Sequence, residues 1–473
     1  MKYTMLKKLK KLLAIVFACT SAFGFAGCAD LLNSIASAVT DAIENQVFED
    51  GTVDENYVYT RTEGGGSYYY ERLTPEQQKF YIKVRIDMDK FFAGERELKK
   101  YTYEKEEYRV LGHYRYDIFD LTKDAALQAF DAFYQDCPQY YAYDGTYMLY
   151  GEESLSPVIA AEYDTKAERD AADVRIAIMV DKVRDAISDE WGDFEIFSKI
   201  RELILEETEY EYDALGNPSQ AAHAGNIVGV LDGDGSTNSV CVGYTFTATY
   251  LSNVFGVECI SVGNDALNHA WNMVKLDGVW YHNDITNDDG NKNQMLFLCG
   301  EDVFWKYFDY SAPAYDSGAA NSMGRVGILP AVSQDLYYSR FIYRTYTSSG
   351  EPYLSVDDYL VNQYRIRIPS TYLGLPVTKI EFGFSFGEPK MQEIILPVSM
   401  QEIETYAFKY CPLEKIYYEG TAAEYAKINI GLQGGTFSTA TVYYFSETEP
   451  AENPESYWHY NELGEPISWS VQP

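Results

Sequence analysis

Of the five histidines in the chain, two stand in one stretch, HAWNMVKLDGVWYHND, which runs from His269 to Asp284. Apolar residues alternate on both sides of Asp277-Gly278, a dipeptide that favours the two-residue turn of a β-hairpin. Such a turn places Leu276 opposite Val279, Trp271 opposite Asp284 and His269 opposite Thr286. With a side-chain period of two, His269, Trp271 and Met273 share a face with His282, Asp284 and Thr286. His269 and Asp284 are then diagonal neighbours, a separation that an imidazole and a carboxylate bridge. A histidine oriented in this way is equipped for general base work on a nucleophile. Cys241 supplies one at the start of a helix, where unpaired backbone N–H groups and the helix dipole favour a thiolate. The Gly- and Asp-rich run LDGDGSTNS ahead of it is expected to leave that first turn accessible. The chemistry expected is acyl transfer. Cys241 attacks an acyl carbon, His269 moves the proton, Asp284 fixes the ring and the Cys241 N–H is a candidate oxyanion donor.

The elements that must position these groups are one helix and a small sheet. Tyr244, Ala248, Leu251 and Phe255 fall on one helical face that ends at Gly256, although the alternation in TFTATY also suits a strand. VECISV and the two arms around Asp277-Gly278 read as strands. Cys241 by itself reads as a small buried hydrophobe; the linked His269 and Asp284 make it a candidate nucleophile. His282 is expected as a flanking residue at the sheet edge. His223 and Gln220 read as helix or loop residues ahead of an oxyanion role, and His113 and His459 have no assigned partners. Cys137, Cys259, Cys299 and Cys411 read as core thiols. A metallohydrolase built on His269, His282 and Asp284 is the weakest reading, since it leaves Cys241 unexplained; no metal and no cofactor are expected.

The motifs GDGSTNSVCVGYTFTATYLSNVFGV and NHAWNMVKLDGVWYHNDIT, in the order Cys, His, Asp, resemble a bacterial transglutaminase-like domain, a branch of the papain-like cysteine-enzyme superfamily. The resemblance rests on Cys241, Gly243 and Tyr244, on His269 to Asn272, and on Trp280, Tyr281, Asp284 and Thr286. It implies a catalytic triad of Cys241, His269 and Asp284 acting on amide bonds of peptides or proteins, in a core of one helix packed on an antiparallel sheet. Three positions depart from the family pattern: Ser239 in place of a glycine, Ile285 in place of a proline and Asn287 in place of an aromatic.

The N-terminus, MKYTMLKKLKKLLAIVFACTSAFGFAGCADLL, has the lysine-rich start, apolar run and small-residue end of an export signal. Its apolar run is too short and too rich in Ala, Gly and Ser to span a bilayer comfortably. Phe25-Ala26-Gly27-Cys28 resembles a bacterial lipobox, which implies lipidation of Cys28 and an anchor on the outer face of the cell membrane. Loss of this signal removes five of the 38 basic side chains and none of the 72 acidic ones, so the formal charge moves from −34 to −39. So acidic a chain repels nucleic acid, which is set aside as a partner. Outside Cys19 and Cys28 there remain five cysteines, an odd number that leaves a thiol free or paired between chains.

The expected organisation is a signal over 1–27, a flexible tether over 28–70, a helical region over 71–216, the transglutaminase-like core over 217–310, a linker over 311–365, a repeat module over 366–445 and a tail over 446–473. The fold class is α+β. In the last third, Met391, Glu393 and Ile394 recur as Leu413, Lys415 and Ile416, and Phe386 as Phe408, which is the mark of stacked units. AFKYCPLEKI resembles the BspA-like leucine-rich repeats of bacterial surface proteins and implies a surface protein partner. Two function classes follow. One is a surface-anchored cysteine enzyme, either protease or transglutaminase; the other is a non-catalytic adhesion protein that works through its repeats.

Overall fold

A computed structural model describes residues 48–49, 51–54, 57–103, 106–149, 154–230, 238–264, 267–289, 296–308, 329–334, 337, 341–346, 352–359, 364–372, 375–385 and 390–469. The expected signal and Cys28 lie outside the described residues, as does the first half of the expected tether. Those described form a mixed α+β chain, and none of their helices is long and apolar enough to cross a membrane.

The helix Pro75–Phe92 starts where its sequence says it should. Thr74 and Gln77 form a reciprocal capping box and Pro75 takes the first turn. Its Phe80, Tyr81, Val84, Met88 and Phe91 are buried in the main core, shared with the helices Lys123–Asp136 and Lys166–Ala186. The region expected to be helical also holds a five-stranded antiparallel sheet of Lys99–Tyr103, Glu106–Val110, Tyr114–Arg115, Tyr143–Leu149 and Ser154–Ile159. Period-two reading passes over these strands because they lack clean alternation; Glu106–Val110, for instance, grades from exposed to buried along its length. The expected tether is likewise corrected at its C-terminal end. Tyr69 and Tyr70 donate their backbone N–H groups to the Asp136 carboxylate at 3.1 and 2.7 Å, and Tyr59 stacks on Tyr70. Aromatic burial docks this polar-looking segment onto the helices.

The central sheet has three antiparallel strands, Cys259–Asn264, His269–Leu276 and Val279–Asn283, with the His269 strand in the middle. Leu276 pairs with Val279 and Asn272 with Asn283, the register expected from the turn. Asp277 and Gly278 have φ of 51° and 84°, the left-handed pair that a type I′ turn requires. The strand stops at Asn283, however, because Asp284 becomes the N-cap of a short helix, Ile285–Asp288. The expected pairing of His269 with Thr286 therefore does not form. TFTATY is helical, within Cys241–Val254. Thr245 and Thr249 turn their hydroxyls back to the carbonyls of Cys241 and Thr245 at 2.8 and 3.0 Å, which lets a buried helix carry polar side chains. Asn272 ties the sheet to this helix, donating to the Thr245 carbonyl and the Thr249 hydroxyl, both at 3.0 Å.

The C-terminal repeats build two parallel ladders. In one, Arg365–Arg367, Glu393–Leu396, Lys415–Tyr418 and Thr441–Phe445 run side by side, with Glu393 opposite Lys415 and Ile394 opposite Ile416, so the 22-residue offset is one step of the ladder. Tyr353–Tyr359, Leu375–Ile380, Glu402–Ile403 and Asn429–Ile430 form the other. Ile366, Met391, Ile394, Phe408, Leu413 and Ile416 fill the space between. Phe386 lies outside the described residues; Phe408 meets the rings of Phe384, at 5.8 Å between centroids, and of Phe437, at 5.1 Å. Two boundaries are corrected. Phe341–Tyr346 and Tyr353–Tyr359, within the expected linker, are the first strands of the module. Tyr457–Tyr460 and Pro466–Ser468, within the expected tail, extend and close the other ladder, with Trp458 buried against Tyr417, Phe445 and Tyr460. End units of a solenoid cover its core with atypical sequence, so a repeat search does not find them.

Candidate functional site

Asp284 is placed by backbone geometry at both of its sides. Its N–H donates to the Leu296 carbonyl at 2.9 Å, and as N-cap its Oδ1 accepts from the Asn287 N–H at 3.1 Å. Its Oδ2 is then aimed at His269, whose Nε2 lies at 2.6 Å, and also receives the Asn287 side-chain amide at 2.8 Å. The carboxylate is 0 % exposed and the imidazole 11 %. The Asn287 amide nitrogen also lies 3.1 Å from His269 Nε2, so one side chain bears on both members of the pair.

The residues after Asp284 are held from two directions. Asp288 forms a buried ion pair with Arg201 at 3.1 Å, and Arg201 in turn lies over the Phe297 ring. Burial lowers the Arg201 pKa against the pull of Asp288; breaking such a pair by removing one partner costs about 3–5 kcal/mol. Asp289 accepts from the Tyr244 hydroxyl at 2.8 Å, and Tyr244 belongs to the Cys241 helix.

Cys241 is the first residue of its helix. Val240, at the N-cap, is extended and supplies no side-chain cap, so the N–H groups of the first turn are left to other partners. The helix begins in a crowded place. A Cβ on Gly243 would lie 2.6 Å from the Ala224 carbonyl oxygen and 1.9 Å from Ser239 Oγ, which explains the glycine in the motif. Ser239 is buried and donates to the same Ala224 carbonyl at 2.7 Å. Cys241 is 8 % exposed; most of the run expected to leave it accessible, 231–237, lies outside the described residues.

The structure thus brings Cys241, His269 and Asp284 together. The Cys241 side chain bears on the imidazole along with Asp284, both raising its pKa, and with Nε2 committed to the carboxylate, Nδ1 is the nitrogen left for the thiol. The ring lies nearly parallel to Trp271, at 6.2 Å, and against Phe308, at 5.7 Å. Burial alone would lower its pKa, but the charge and hydrogen bond of Asp284, and those of Cys241, outweigh it and push the imidazole up to about 10. The arrangement can hold a proton on the histidine at neutral pH beside a sulfur nucleophile.

Other residues fall elsewhere. His282 lies on an outer strand of the three-stranded sheet, as expected, yet it is fully buried: it accepts from Trp271 Nε1 at 3.0 Å through Nδ1, meets Glu301 at 3.0 Å through Nε2 and stacks on Phe304. Burial lowers its pKa despite Glu301. Its strand is covered by a bridge to Cys299, from a segment that has no strand pattern of its own. His223 meets Glu211 at 3.1 Å and Gln220 donates to the Pro218 carbonyl. His113 contacts Ser156, and His459 stacks on Trp469. The five cysteines of the described residues are all buried thiols. Among the described residues no three His, Cys, Asp or Glu side chains converge as a metal set. Sequence reading missed Tyr210. Its backbone pairs with Ser239, two residues before Cys241, and burial, with the charges of Cys241, Tyr212 and Asp284, pushes its pKa up to about 12.

No protein-family model matches the chain, and comparison with curated proteins finds no match.

The histidine makes a prediction with a definite sign. Because its pKa rises from the usual 6.5 to about 10 on folding, the stabilisation from the His269–Asp284 pair is fully present below about pH 6.5 and is lost as pH rises through about 10. The His269 ring proton followed by NMR should titrate near 10, and near or below 6.5 in Asp284→Asn. The stability advantage of the wild type over that variant should shrink across the same interval. A wild-type midpoint near 6.5 would contradict the coupling.

Proposed function

We propose that the chain is a surface-anchored cysteine enzyme that acts on amide bonds of extracellular peptides or proteins through a thioester acyl-enzyme, and that its core is of the papain-like, transglutaminase-like kind. One observation carries this reading: His269 Nε2 lies 2.6 Å from a wholly buried Asp284 carboxylate while Cys241, at a helix start, bears on the same ring and helps to raise its pKa. In the reaction the sulfur of Cys241 bonds to the acyl carbon and the carbonyl π pair moves to oxygen. As the carbonyl re-forms, the C–N bond breaks and the leaving amine takes the proton from His269. Water or a second amine then attacks the thioester, giving hydrolysis or transfer.

The adhesion reading draws on the repeat module, where Phe382, Tyr410 and Leu432 are exposed, a surface suited to a protein partner. Mass spectrometry of a peptide mixture incubated with the full chain and with its Cys241→Ala form separates the possibilities. New termini that depend on Cys241 indicate a protease, and Cys241-dependent loss of ammonia with crosslinks indicates a transglutaminase. Identical peptide patterns with both proteins would leave the adhesion reading. Asp284→Asn should lower turnover by roughly 10 to 10⁴-fold, as loss of the orienting carboxylate does in hydrogen-bonded triads.

The proposed location is the outer face of the bacterial membrane, through lipid on Cys28. Cys28→Ser should release the chain from membranes or block its processing. A Cys28→Ser chain that is processed and retained like the wild type would contradict the anchor.

A further inference from the structure

Asn287 brings to the site a donor that the resemblance does not supply, because it stands where the family pattern has an aromatic. It is the third residue of the short helix that Asp284 caps. In a reciprocal capping box the side chain at that position returns to the N-cap backbone N–H. Here the Asp284 N–H is already taken by the Leu296 carbonyl at 2.9 Å, and the Asn287 side chain turns to the carboxylate instead. The two residues that follow it are pinned, Asp288 by Arg201 at 3.1 Å and Asp289 by the Tyr244 hydroxyl at 2.8 Å, so the backbone gives it little freedom. Its amide nitrogen lies 2.8 Å from Asp284 Oδ2 and 3.1 Å from His269 Nε2, while Nε2 lies 2.6 Å from the same Oδ2. A group 2.8 Å from a carboxylate oxygen must be a donor, which puts the amide nitrogen rather than its oxygen at that corner. Two donors therefore share one oxygen.

The proton route sets the demand on this oxygen. Nδ1 takes the thiol proton and gives it to the leaving nitrogen as the C–N bond breaks, and Nε2 keeps its own proton on Asp284 throughout. A carboxylate that held the imidazolium without competition would favour the first transfer and oppose the second. Resting on the cysteine-enzyme reading, we propose that Asn287 is a positioning residue that acts through Asp284: its amide takes a share of the charge on Oδ2 and so leaves His269 able to release the proton it receives. An amide suits this task. It is neutral, and its nitrogen only donates, so it competes with Nε2–H for Oδ2 without replacing that oxygen as the acceptor. The imidazole, pushed up to about 10, then binds its proton about as tightly as an alkylamine does, and transfer to a leaving amine is nearly level in energy. Other charges close by are committed, Asp288 to Arg201 and Asp289 to Tyr244. The ring also meets Cys241, Trp271 and Phe308, and Tyr210, Tyr307 and His282 feel the Asp284 charge.

Removing the amide separates this role from simple alignment, because the two predict opposite signs. A carboxylate freed of one donor holds the imidazolium more tightly, whereas a ring that loses its alignment returns toward the usual 6.5. With the full chain carrying isotope-labelled histidine, NMR reads the ratio of protonated to neutral His269 at the midpoint expected for the wild type, about 10. In Asn287→Leu, of similar size but without the donor, that ratio should rise about tenfold, the order of one hydrogen bond to an ion. Asn287→Gln, which keeps an amide one methylene further out, should give a smaller rise. Should Asn287→Leu not fold, Asn287→Ala takes its place with the same expectation. An unchanged ratio would overturn the proposal, and so would a fall, which would assign Asn287 to alignment alone. Limiting iodoacetamide near neutral pH tests the cysteine-enzyme reading separately on the wild-type protein. A Cys241 alkylated no faster than Cys259 would overturn that reading, and this role with it, whatever the NMR ratio; a fast Cys241 with an unchanged ratio in Asn287→Leu would overturn the role of Asn287 alone.

Discussion

Everything at the site depends on a carboxylate kept out of water. A buried charge is costly unless its lone pairs are filled, and Asp284 fills them with the Asn287 backbone and side-chain N–H groups and with His269. Those partners exist because the chain changes conformation at Asn283: one residue earlier the carboxylate would lie in the sheet, and one residue later the helix cap would be lost. The Arg201–Asp288 ion pair and the Tyr244–Asp289 hydrogen bond keep that change of conformation in place. The same low dielectric that makes the carboxylate costly strengthens its hold on the imidazole, and the imidazole in turn faces the sulfur.

Two physical rules made much of the core legible in the chain. A left-handed dipeptide sets a hairpin's register, and a period of two sets which residues share its face; together they placed His269 beside Asp284 without knowledge of any distant contact. A 22-residue echo marked the ladder step from Glu393 to Lys415. What remained hidden lies where local pattern carries no information. Tyr210 and Arg201 reach the site through contacts that no spacing encodes. His282 does sit on an outer strand, and its burial stayed hidden because the segment that covers that edge, around Cys299, has no strand pattern. The segment before the first helix and the C-terminal end read as polar tails, yet their aromatic residues are what the fold buries.

The repeat module and the core meet at the helix Asp193–Glu207. Thr371 donates to Glu195 on that helix, and Phe194 lies 6.4 Å from the Tyr372 ring. Arg367, flanked by the Tyr337 and Tyr460 rings, reaches toward Asp277 in the hairpin turn at 3.8 Å. Two turns further along the same helix, Arg201 holds Asp288. One rigid element thus touches the repeats at its start and supports the Asp284 loop from its middle, and the hairpin that carries His269 presents its turn to the repeats.

The central claim is that His269 makes Cys241 chemically unlike the other thiols. Site-resolved mass spectrometry of the folded full chain, treated with limiting iodoacetamide near neutral pH, measures this directly. Burial, joined at Cys137 by the Asp136 charge, pushes the thiols of Cys137 and Cys259 up to about 12 against nearby hydrogen bonds that pull the other way, so these should react slowly. The account predicts that Cys241 is alkylated far faster than Cys137, Cys259, Cys299 and Cys411, and that His269→Ala removes the advantage. Labelling of Cys241 no faster than that of Cys259 or Cys411, with no change in His269→Ala, would contradict it.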